Sequence, residues 1–582
     1  MKNYKKVYAA FILASGLILH GCNGIFDDLA INPNQPSMGA YFTSPSAVND
    51  AVMTMYGYMS TQRCLGASGS KTTIIRSDEA SSNSDYGKPG MFGADLNASY
   101  YTIEQPYTLM YTTASQASYI IETAPSVDFS GNEELRNAYM GEAYFWRAFA
   151  HYYLLINFRN ISPIRQMPRN GDDYVRPLEK PAAVWNFIQE DLAHAKELLP
   201  VKGYWDSKNA GRVTKASAAA LLGKAYLYRS GIEQYYGEDK TTFYSEAAKE
   251  FGDIIDGKYG TYDLTKNYAD NFDVAHENNE ESILEFQFLG DVDNAGFNPG
   301  LATSGLAFDS RGLMLPGAGV GYEGVVHNWL YNAFVNSVDK DGYTDIRMFS
   351  TMIFNDLDAS IHLRNDAGGN PVRLEGPGGY KWEELYPAKN GKEGFSTVSN
   401  PLAHPFKAGI RKGIDCSMPT QTEADGTPKL VGVGAGVKEY VYNQPRAHGV
   451  NWRYIRYADV LMMYAEAVVS GGAQASNMTP LQAVNKVRGR ANMSELPSVT
   501  MADIQNERIL EFALEGHRFY DLLRWGKLAS RFTELQESDP NFKKFISADD
   551  FKGFVTNKHE WLPIPINEVN SNPYITENNP GY

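Results

Sequence analysis

The chain has 582 residues, of which 43% are hydrophobic and 13% aromatic, enough for more than one ordinary domain or for one large helical array. Its formal net charge of −15 at pH 7, with no cluster of basic residues, argues against a nucleic-acid ligand. Apart from one segment near the N-terminus, no run is long and apolar enough to span a membrane.

The first apolar segment, residues 7–19, follows three lysines and is too short to span a bilayer as a mature helix. Cys22 follows, with glycine directly before it and leucine three positions before it. This arrangement predicts a bacterial lipoprotein signal: residues 1–21 are removed, Cys22 is lipidated, and residues 22–45 form a tether. Each buried CH₂ of an acyl chain adds about 0.8 kcal/mol of membrane binding. The alternative is an ordinary secretory signal followed by an unrelated cysteine.

Helical spacing of apolar residues dominates the rest of the chain. Ser46 is the predicted N-cap of the first helix, and residues 282–288 alternate as a strand does. Residues 68–101, rich in Ser, Gly and Asn, are predicted to be loop. The predicted helices are 46–59, 133–158, 182–199, 211–228, 243–255, 328–338, 454–469, 480–490 and 501–525.

Two of the predicted helix pairs carry a repeat-like signature. Gly141 and Gly223 each stand in a Met/Leu-Gly-x-x-Tyr sequence, as in the first helix of a tetratricopeptide repeat. Ala247 and Phe251 have the Ala-x₃-Phe spacing of the second helix, where a small residue permits close approach. No fixed 34-residue period exists, so loops must interrupt the array.

The helical signal is split by residues 290–440, which are crowded with Gly, Asn, Asp and Pro. The predicted organisation is therefore a helical scaffold over 46–289, a loop-rich variable insertion over 290–440 and a helical C-terminal part over 441–582. Once Cys22 is lipidated, Cys64 and Cys416 remain. They can form one disulfide in an exported chain only if the fold brings them together, which the sequence leaves open.

Seven segments stand out together, in one order, from about residue 130 to the C-terminus. They are 141–149 (GEAYFWRAF), 191–200 (DLAHAKELLP), 211–215 (GRVTK), 456–467 (RYADVLMMYAEA), 507–511 with 515–526 (ERILE, EGHRFYDLLRWG), 562–565 (LPIP) and 579–582 (NPGY). In these segments and in their order, the chain resembles the SusD/RagB family of cell-surface nutrient-binding lipoproteins.

The resemblance implies a mainly α fold: a tetratricopeptide-like α-α superhelix of about four helix pairs, with the ligand site on the loop-rich insertion. It also implies a partner, a SusC-like TonB-dependent outer-membrane barrel that the lipoprotein covers as a lid. Ligands of the family are mostly oligosaccharides, while some members serve peptide uptake. The first three segments and the 507–526 helix are scaffold signatures in the family, so we assign them to structure.

Glu507, Glu511 and Glu515 lie four residues apart, which would place their carboxylates on one helix face. A glycosidase would use two such carboxylates as acid and nucleophile. Arginines are interleaved, however, and Glu515/Arg518 and Asp521/Arg524 have i, i+3 spacing, so we favour ion pairs between helices. No histidine or cysteine spacing indicates zinc. We therefore expect no catalytic residue, no metal site and no cofactor.

Sugar recognition needs exposed aromatic rings beside amide, acid or basic side chains on loops. Two regions offer this combination, and family members place ligand-binding aromatics in both neighbourhoods. Neither region contains Trp, which favours a ligand smaller or more polar than a long helical glucan. The candidate ligand-binding residues are Asp78, Asn83, Asp85, Tyr86 and Phe92 in the first region and Asn294, Phe297, Phe308, Arg311 and Tyr322 in the second.

These observations lead to an expected function: a non-catalytic glycan-binding lipoprotein on the outer-membrane surface, which delivers an oligosaccharide to a SusC-like transporter. A peptide-binding member of the same family is the first alternative. A surface glycoside hydrolase is the second alternative.

Overall fold

The computed structural model describes most of the scaffold and only parts of the loop-rich middle. The described residues are 42–82, 92, 96–169, 171–288, 308–309, 324–354, 359–365, 408–412, 430–433, 437–440, 447–448, 450–539 and 553–582. Within these ranges, no helix is both long enough and apolar enough to cross a bilayer.

The described residues are mainly helical, with a few short strands. The helices are α1 (Pro45–Ser60), α2 (Ser70–Ile75), α3 (Tyr101–Thr123), α4 (Glu133–Phe158), α5 (Pro181–Leu198), α6 (Lys215–Tyr236), α7 (Tyr244–Ile255), α8 (Asn328–Val335), α9 (Arg347–Thr351), α10 (Tyr457–Val469), α11 (Pro480–Arg490), α12 (Met501–Phe512), α13 (Arg518–Arg524), α14 (Leu528–Ser538) and α15 (Ile566–Ser571). A π-helical segment, Gln62–Gly69, joins α1 to α2.

The strands are short and pair antiparallel. A four-stranded sheet has the order β1-β4-β6-β5, and the remaining strands form three pairs: β2 with β10, β3 with β9 and β7 with β8. Their bounds are β1 (Ala80–Ser82), β2 (Ser282–Phe286), β3 (Phe308–Asp309), β4 (Gly324–Val326), β5 (Met352–Phe354), β6 (Ala408–Ile410), β7 (Leu430–Val433), β8 (Val437–Tyr440), β9 (Ala447–His448) and β10 (Trp452–Arg456).

The long helices form one continuous array. From α3 to α7 each helix packs on the next, and α7 then packs on α10, which continues the array through α11 and α12. The array thus passes from α7 to α10 across the loop-rich middle of the chain. This arrangement confirms the predicted mainly α, tetratricopeptide-like superhelix.

The repeat-like signature marks a close helix contact. A Cβ atom placed on Gly223 in α6 would lie only 2.7 Å from the Phe251 ring in α7, so no larger residue fits without a shift. Gly141 in α4 is similarly close to Leu199, which directly follows α5. Small residues therefore let consecutive helices approach, as the sequence pattern predicted.

Local signals explain most helix ends. Ser44, and not Ser46 as predicted, caps α1: its Oγ accepts the Ala47 N–H at 3.3 Å, and Pro45 occupies the first turn. Thr479 and Gln482 form a capping box at the start of α11.

Several predictions of secondary structure were wrong. Helix α3, with many Tyr, Thr and Ser residues, was missed because its propensity is weak and burial of one face stabilises it. The predicted 68–101 loop contains α2 and β1. The predicted 501–525 helix breaks after Phe512, where Leu514 (φ 61°) and Gly516 (φ 86°) adopt left-handed conformations.

The glutamates of α12 are the centre of a buried ion-pair network. Glu511 is fully buried and contacts Arg456 at 2.6 Å, Arg347 at 3.0 Å and also Arg490. Burial by itself raises the pKa of the Glu511 carboxyl, but the charges of these three arginines outweigh it and hold the pKa below its ordinary value.

The network extends to both sides of the loop-rich middle. Glu281, directly before β2, contacts Arg456 and Arg490, each at 2.6 Å, and Arg347 contacts Glu507 at 2.6 Å. The predicted assignment of the glutamates to ion pairs is confirmed.

The predicted partners of these charges are only partly right. Asp521 pairs with Arg524 at 2.9 Å as expected. Glu515, however, contacts Arg456 and Lys412 instead of Arg518.

Glu511→Gln is expected to lower the free energy of unfolding by about 3–5 kcal/mol, because it leaves buried guanidinium groups without their shared counter-charge. Glu238→Gln is the control, since Glu238 and its partner Lys180 are 90% and 82% exposed in their side chains. The control should change stability by less than about 1 kcal/mol. Urea unfolding followed by circular dichroism measures both, and equal stabilities would contradict the role of the network.

Candidate functional site

One end of each predicted ligand region lies at the same place on the described scaffold. Strand β1 ends at Ser82, whose register partner in β4 is Gly324. The first region continues directly from Ser82, and the second region ends directly before Gly324. The structure therefore brings one end of each region together at the Ser82–Gly324 pair of two antiparallel strands, which we call the root of the two loops.

Most candidate residues themselves lie outside the described residues: Asn83, Asp85, Tyr86, Asn294, Phe297, Arg311 and Tyr322, together with Cys22 and Cys416. Phe308 lies in β3, where its register partner is His448 in β9. Cys64 is a buried free thiol at the π-helical segment. Burial raises the pKa of its thiol well above the ordinary value, which makes it unreactive.

Asp78 is part of the scaffold, which corrects its assignment to the ligand site. Its side chain is fully buried, and its carboxylate contacts Arg518 at 2.9 and 3.0 Å and Arg531 at 2.7 Å. Burial raises the pKa of Asp78, but the two guanidinium charges outweigh it and lower the pKa overall. A fully buried carboxylate that is paired with two guanidinium groups is not accessible to the hydroxyl groups of a ligand.

Phe92 is likewise a core residue and not a ligand platform. It is only 2% exposed. Its ring packs edge-on against Phe532 at 5.0 Å and Phe554 at 5.3 Å and stacks on His559 at 4.9 Å. A ring with three aromatic neighbours and so little exposed surface is not available to a ligand.

A histidine holds β1 to the start of α8. His327 Nδ1 lies 2.7 Å from the Asp78 carbonyl oxygen, and its Nε2 lies 2.5 Å from Ser81 Oγ. Burial lowers the pKa of His327, so the imidazole is neutral. Because a carbonyl only accepts, Nδ1 carries the proton and Nε2 accepts from the Ser81 hydroxyl.

Trp329 is a half-buried aromatic residue at this root that the sequence analysis missed. Its indole N–H donates to the Asp78 carbonyl at 2.5 Å, and the guanidinium carbons of Arg531 and Arg518 lie 4.3 and 5.4 Å from its ring centroid. Cation–π contact on a partly exposed ring fixes its orientation. The sequence could have suggested Trp329 as a candidate, because it lies only seven residues after Tyr322, at the start of a predicted helix.

Glu79, the neighbour of Asp78, also has a structural role. Its Oε1 accepts the Leu514 N–H at 3.1 Å, in the break between α12 and α13. Burial and the adjacent Asp78 charge raise its pKa to about 8, so this carboxyl holds a proton at neutral pH. Together, Asp78 and Glu79 tie β1 to the C-terminal helices.

One cluster of possible metal ligands occurs among the described residues: Asp270, Asp273 and His276. Asp273 Oδ1 already accepts the backbone N–H groups of Ala275 and His276, at 2.9 and 3.0 Å, and contacts the His276 ring at 2.8 Å. These contacts are those of a capped turn. The Asp273 carboxylate is therefore already stabilised by hydrogen bonds, without a bound metal ion.

Comparisons with known proteins match both halves of the scaffold. A model described as the SusD family matches residues 429–582, and a model described as "Starch-binding associating with outer membrane" matches residues 31–227. Together they match more than half of the chain. A SusD-like protein from Bacteroides ovatus is 25% identical over 533 residues, which are 90% of this chain and 83% of that protein.

Solved structures show the same fold. The SusD superfamily protein of Bacteroides vulgatus aligns with a TM-score of 0.66 and 22% identity, covering 93% of this chain and all of that one. Surface glycan-binding protein A of Bacteroides thetaiotaomicron, solved in complex with laminarihexaose, aligns with a TM-score of 0.62 and 18% identity, covering 92% of this chain and all of that one. With its helical array, its paired strands and these matches, the chain belongs to the SusD/RagB family.

Proposed function

We propose that this protein is a non-catalytic glycan-binding lipoprotein of the outer-membrane surface, which captures an oligosaccharide and delivers it to a SusC-like TonB-dependent transporter. The observation that carries the proposal is the common root of the two aromatic-bearing loops at β1 and β4. This common root supports the proposal that both loops contact one ligand.

The loops contain the side chains that sugar recognition requires. Tyr86, Phe297 and Tyr322 supply flat apolar faces for the C–H patches of sugar rings, and Asn83 and Arg311 supply hydrogen bonds to hydroxyls. Trp329, a half-buried ring shortly after β4 and His327, adds a third kind of aromatic side chain near these loops. The laminarihexaose complex of the related surface glycan-binding protein supports the ligand class.

Delivery to a transporter requires that the ligand be released again. Binding through a few ring contacts and hydrogen bonds is expected at micromolar to millimolar Kd, about −4 to −8 kcal/mol. This range allows capture at the surface and transfer to a barrel.

The buried ion pairs support the absence of catalysis. A retaining glycosidase needs two carboxyl groups about 5–5.5 Å apart beside the substrate. Glu507, Glu511 and Glu515 are the obvious candidates by spacing, but they are at most 6% exposed and each contacts arginine. Among the described residues, Asp78 and Glu79, which directly precede β1, are also buried.

The N-terminal sequence supports lipid anchoring. Cys22 follows an apolar run in the arrangement of a lipoprotein signal, and one matching family model is described as associating with the outer membrane. Several acyl chains on one cysteine hold a protein on a bilayer, whereas one chain gives only marginal binding.

Tyr86→Ala and Phe297→Ala are each expected to weaken glycan binding about tenfold, equal to about 1.4 kcal/mol, because each removes one ring contact. The melting temperature should not change, as expected of side chains that contact a ligand and not the scaffold. Calorimetric titration with the best glycan from a combined glycan and peptide array measures the effect. Tyr235→Ala, which removes an exposed tyrosine of α6, is the control. Unchanged affinity in both loop variants would refute the site.

Cys22→Ala is expected to move the protein from the membrane fraction to the soluble fraction and to abolish labelling by a palmitate analogue. Cys64→Ala is the matched control, since this buried thiol is not an acylation site. Labelling that persists in Cys22→Ala would contradict the anchor.

Incubation of the purified protein with the bound glycan should produce no new reducing ends over many hours. A reducing-sugar assay compares it with a glycosidase as positive control. Product that increases in proportion to protein concentration would establish hydrolysis and overturn the proposal.

A further inference from the structure

A second cleft lies on the scaffold, away from both candidate loops in sequence. It has a volume of about 380 Å³ and is enclosed by the N-terminal half of α3, residues 162–176 and α15. None of its lining residues belongs to either candidate loop. Its size falls within the usual range for small-molecule sites, about 300–1,000 Å³.

The walls of this cleft, which we call the α3–α15 cleft, are rich in hydroxyl and carboxylate groups. Thr108, Thr112 and Ser115 follow one face of α3, and Tyr111 presents its ring between them. Glu104 and Glu568 bring two carboxylates, against the single positive charge of Arg176. Such a surface suits a neutral ligand with many hydroxyl groups and disfavours an anionic one.

Hydrogen bonds fix the geometry of the walls. Tyr111 Oη accepts the Ser162 N–H at 3.1 Å, and Asn567 Nδ2 donates to Glu104 Oε1 at 2.5 Å. Asn572 Nδ2 donates to Glu568 Oε1 at 3.1 Å. Glu104 Oε2 and Glu568 Oε2 have no partner among the described residues, so each can accept from a ligand. Groups held in place before binding lose less entropy when they bind.

Exposed apolar side chains lie close in sequence to residues that line the cleft, and Tyr107 and Tyr111 belong to its lining. Tyr101 lies one turn before Glu104 on α3 and is 39% exposed, while Tyr574, three residues beyond Ser571, is 59% exposed. Ile566, next to Asn567, is 36% exposed. Aromatic rings beside carboxylate and hydroxyl groups are the combination that binds the C–H faces and hydroxyls of sugars.

We infer that the α3–α15 cleft is a second glycan-binding site, which takes a short segment of a neutral oligosaccharide. Glu104 and Glu568 accept sugar hydroxyls, Arg176 donates to them, and the tyrosines cover one ring face. The ligand class rests on the proposed function, whereas the position of the site rests on the cleft alone. A long glycan held at two sites on one molecule dissociates more slowly than from either site.

Calorimetric titration with laminarihexaose, maltohexaose and cellohexaose tests this inference. A Tyr86→Ala/Phe297→Ala double variant, weakened at the loops, should keep a residual binding event. Ser115→Trp, which fills the cleft, should abolish that event when added to the double variant. Thr54→Trp, at an exposed position of α1, is the control for a bulky residue on a helix surface and should leave it unchanged.

Glu568→Gln provides a second variant if Ser115→Trp lowers the melting temperature, and it should weaken the residual binding about three- to tenfold by removing one charged acceptor. Residual binding that survives both cleft variants, or no residual binding in the loop double variant, would refute the second site. If none of the three glycans binds the unmodified protein, the inference fails, whereas the proposed function is decided by the glycan and peptide array. If the cleft variants reduce binding and the loop double variant does not, the second site stands and only the loop site fails.

Discussion

The scaffold depends on one set of buried opposite charges centred on Glu511. Removing carboxylates and guanidinium groups from water is costly, and the cost is offset only when every charge meets its partners at close range. Arg456, Arg347, Arg490 and Glu281 meet that condition, and they come from β10, α9, α11 and the residue before β2. Because these elements are distant in sequence, the network can be satisfied only in the assembled fold. It therefore specifies which elements meet, beyond what apolar packing alone would demand.

Buried ion pairs also hold the chain next to the proposed ligand loops. Asp78 pairs with Arg518 and Arg531, and both guanidinium groups also contact the Trp329 ring. The start of the first proposed ligand loop is thus tied to the C-terminal helices by buried charges. A binding protein that must release its ligand to a partner benefits from this attachment, since the scaffold need not deform on binding.

The sequence predicted the scaffold well and the site only in outline. Long amphipathic helices such as α4 and α7 have strong 3.6-residue periodicity, so their bounds were predicted within one residue. Helix α3 and the break at Leu514 depend on tertiary packing and on backbone conformation, which local patterns do not encode. Asp78 and Phe92 looked like loop residues because their neighbours are polar, yet their partners lie more than 400 residues away. Sequence spacing cannot show such contacts.

The antiparallel pairing of β2 with β10 has an evolutionary consequence. These two strands bracket the loop-rich middle of the chain and hold its two ends together. Since the entropy of closing a loop grows only with the logarithm of its length, doubling the intervening segment costs about 0.6 kcal/mol. Insertions in this segment that leave Arg347 and the four-stranded sheet in place are therefore nearly neutral for stability. Selection can vary the length and composition of the intervening chain while the β2–β10 pair stays the same.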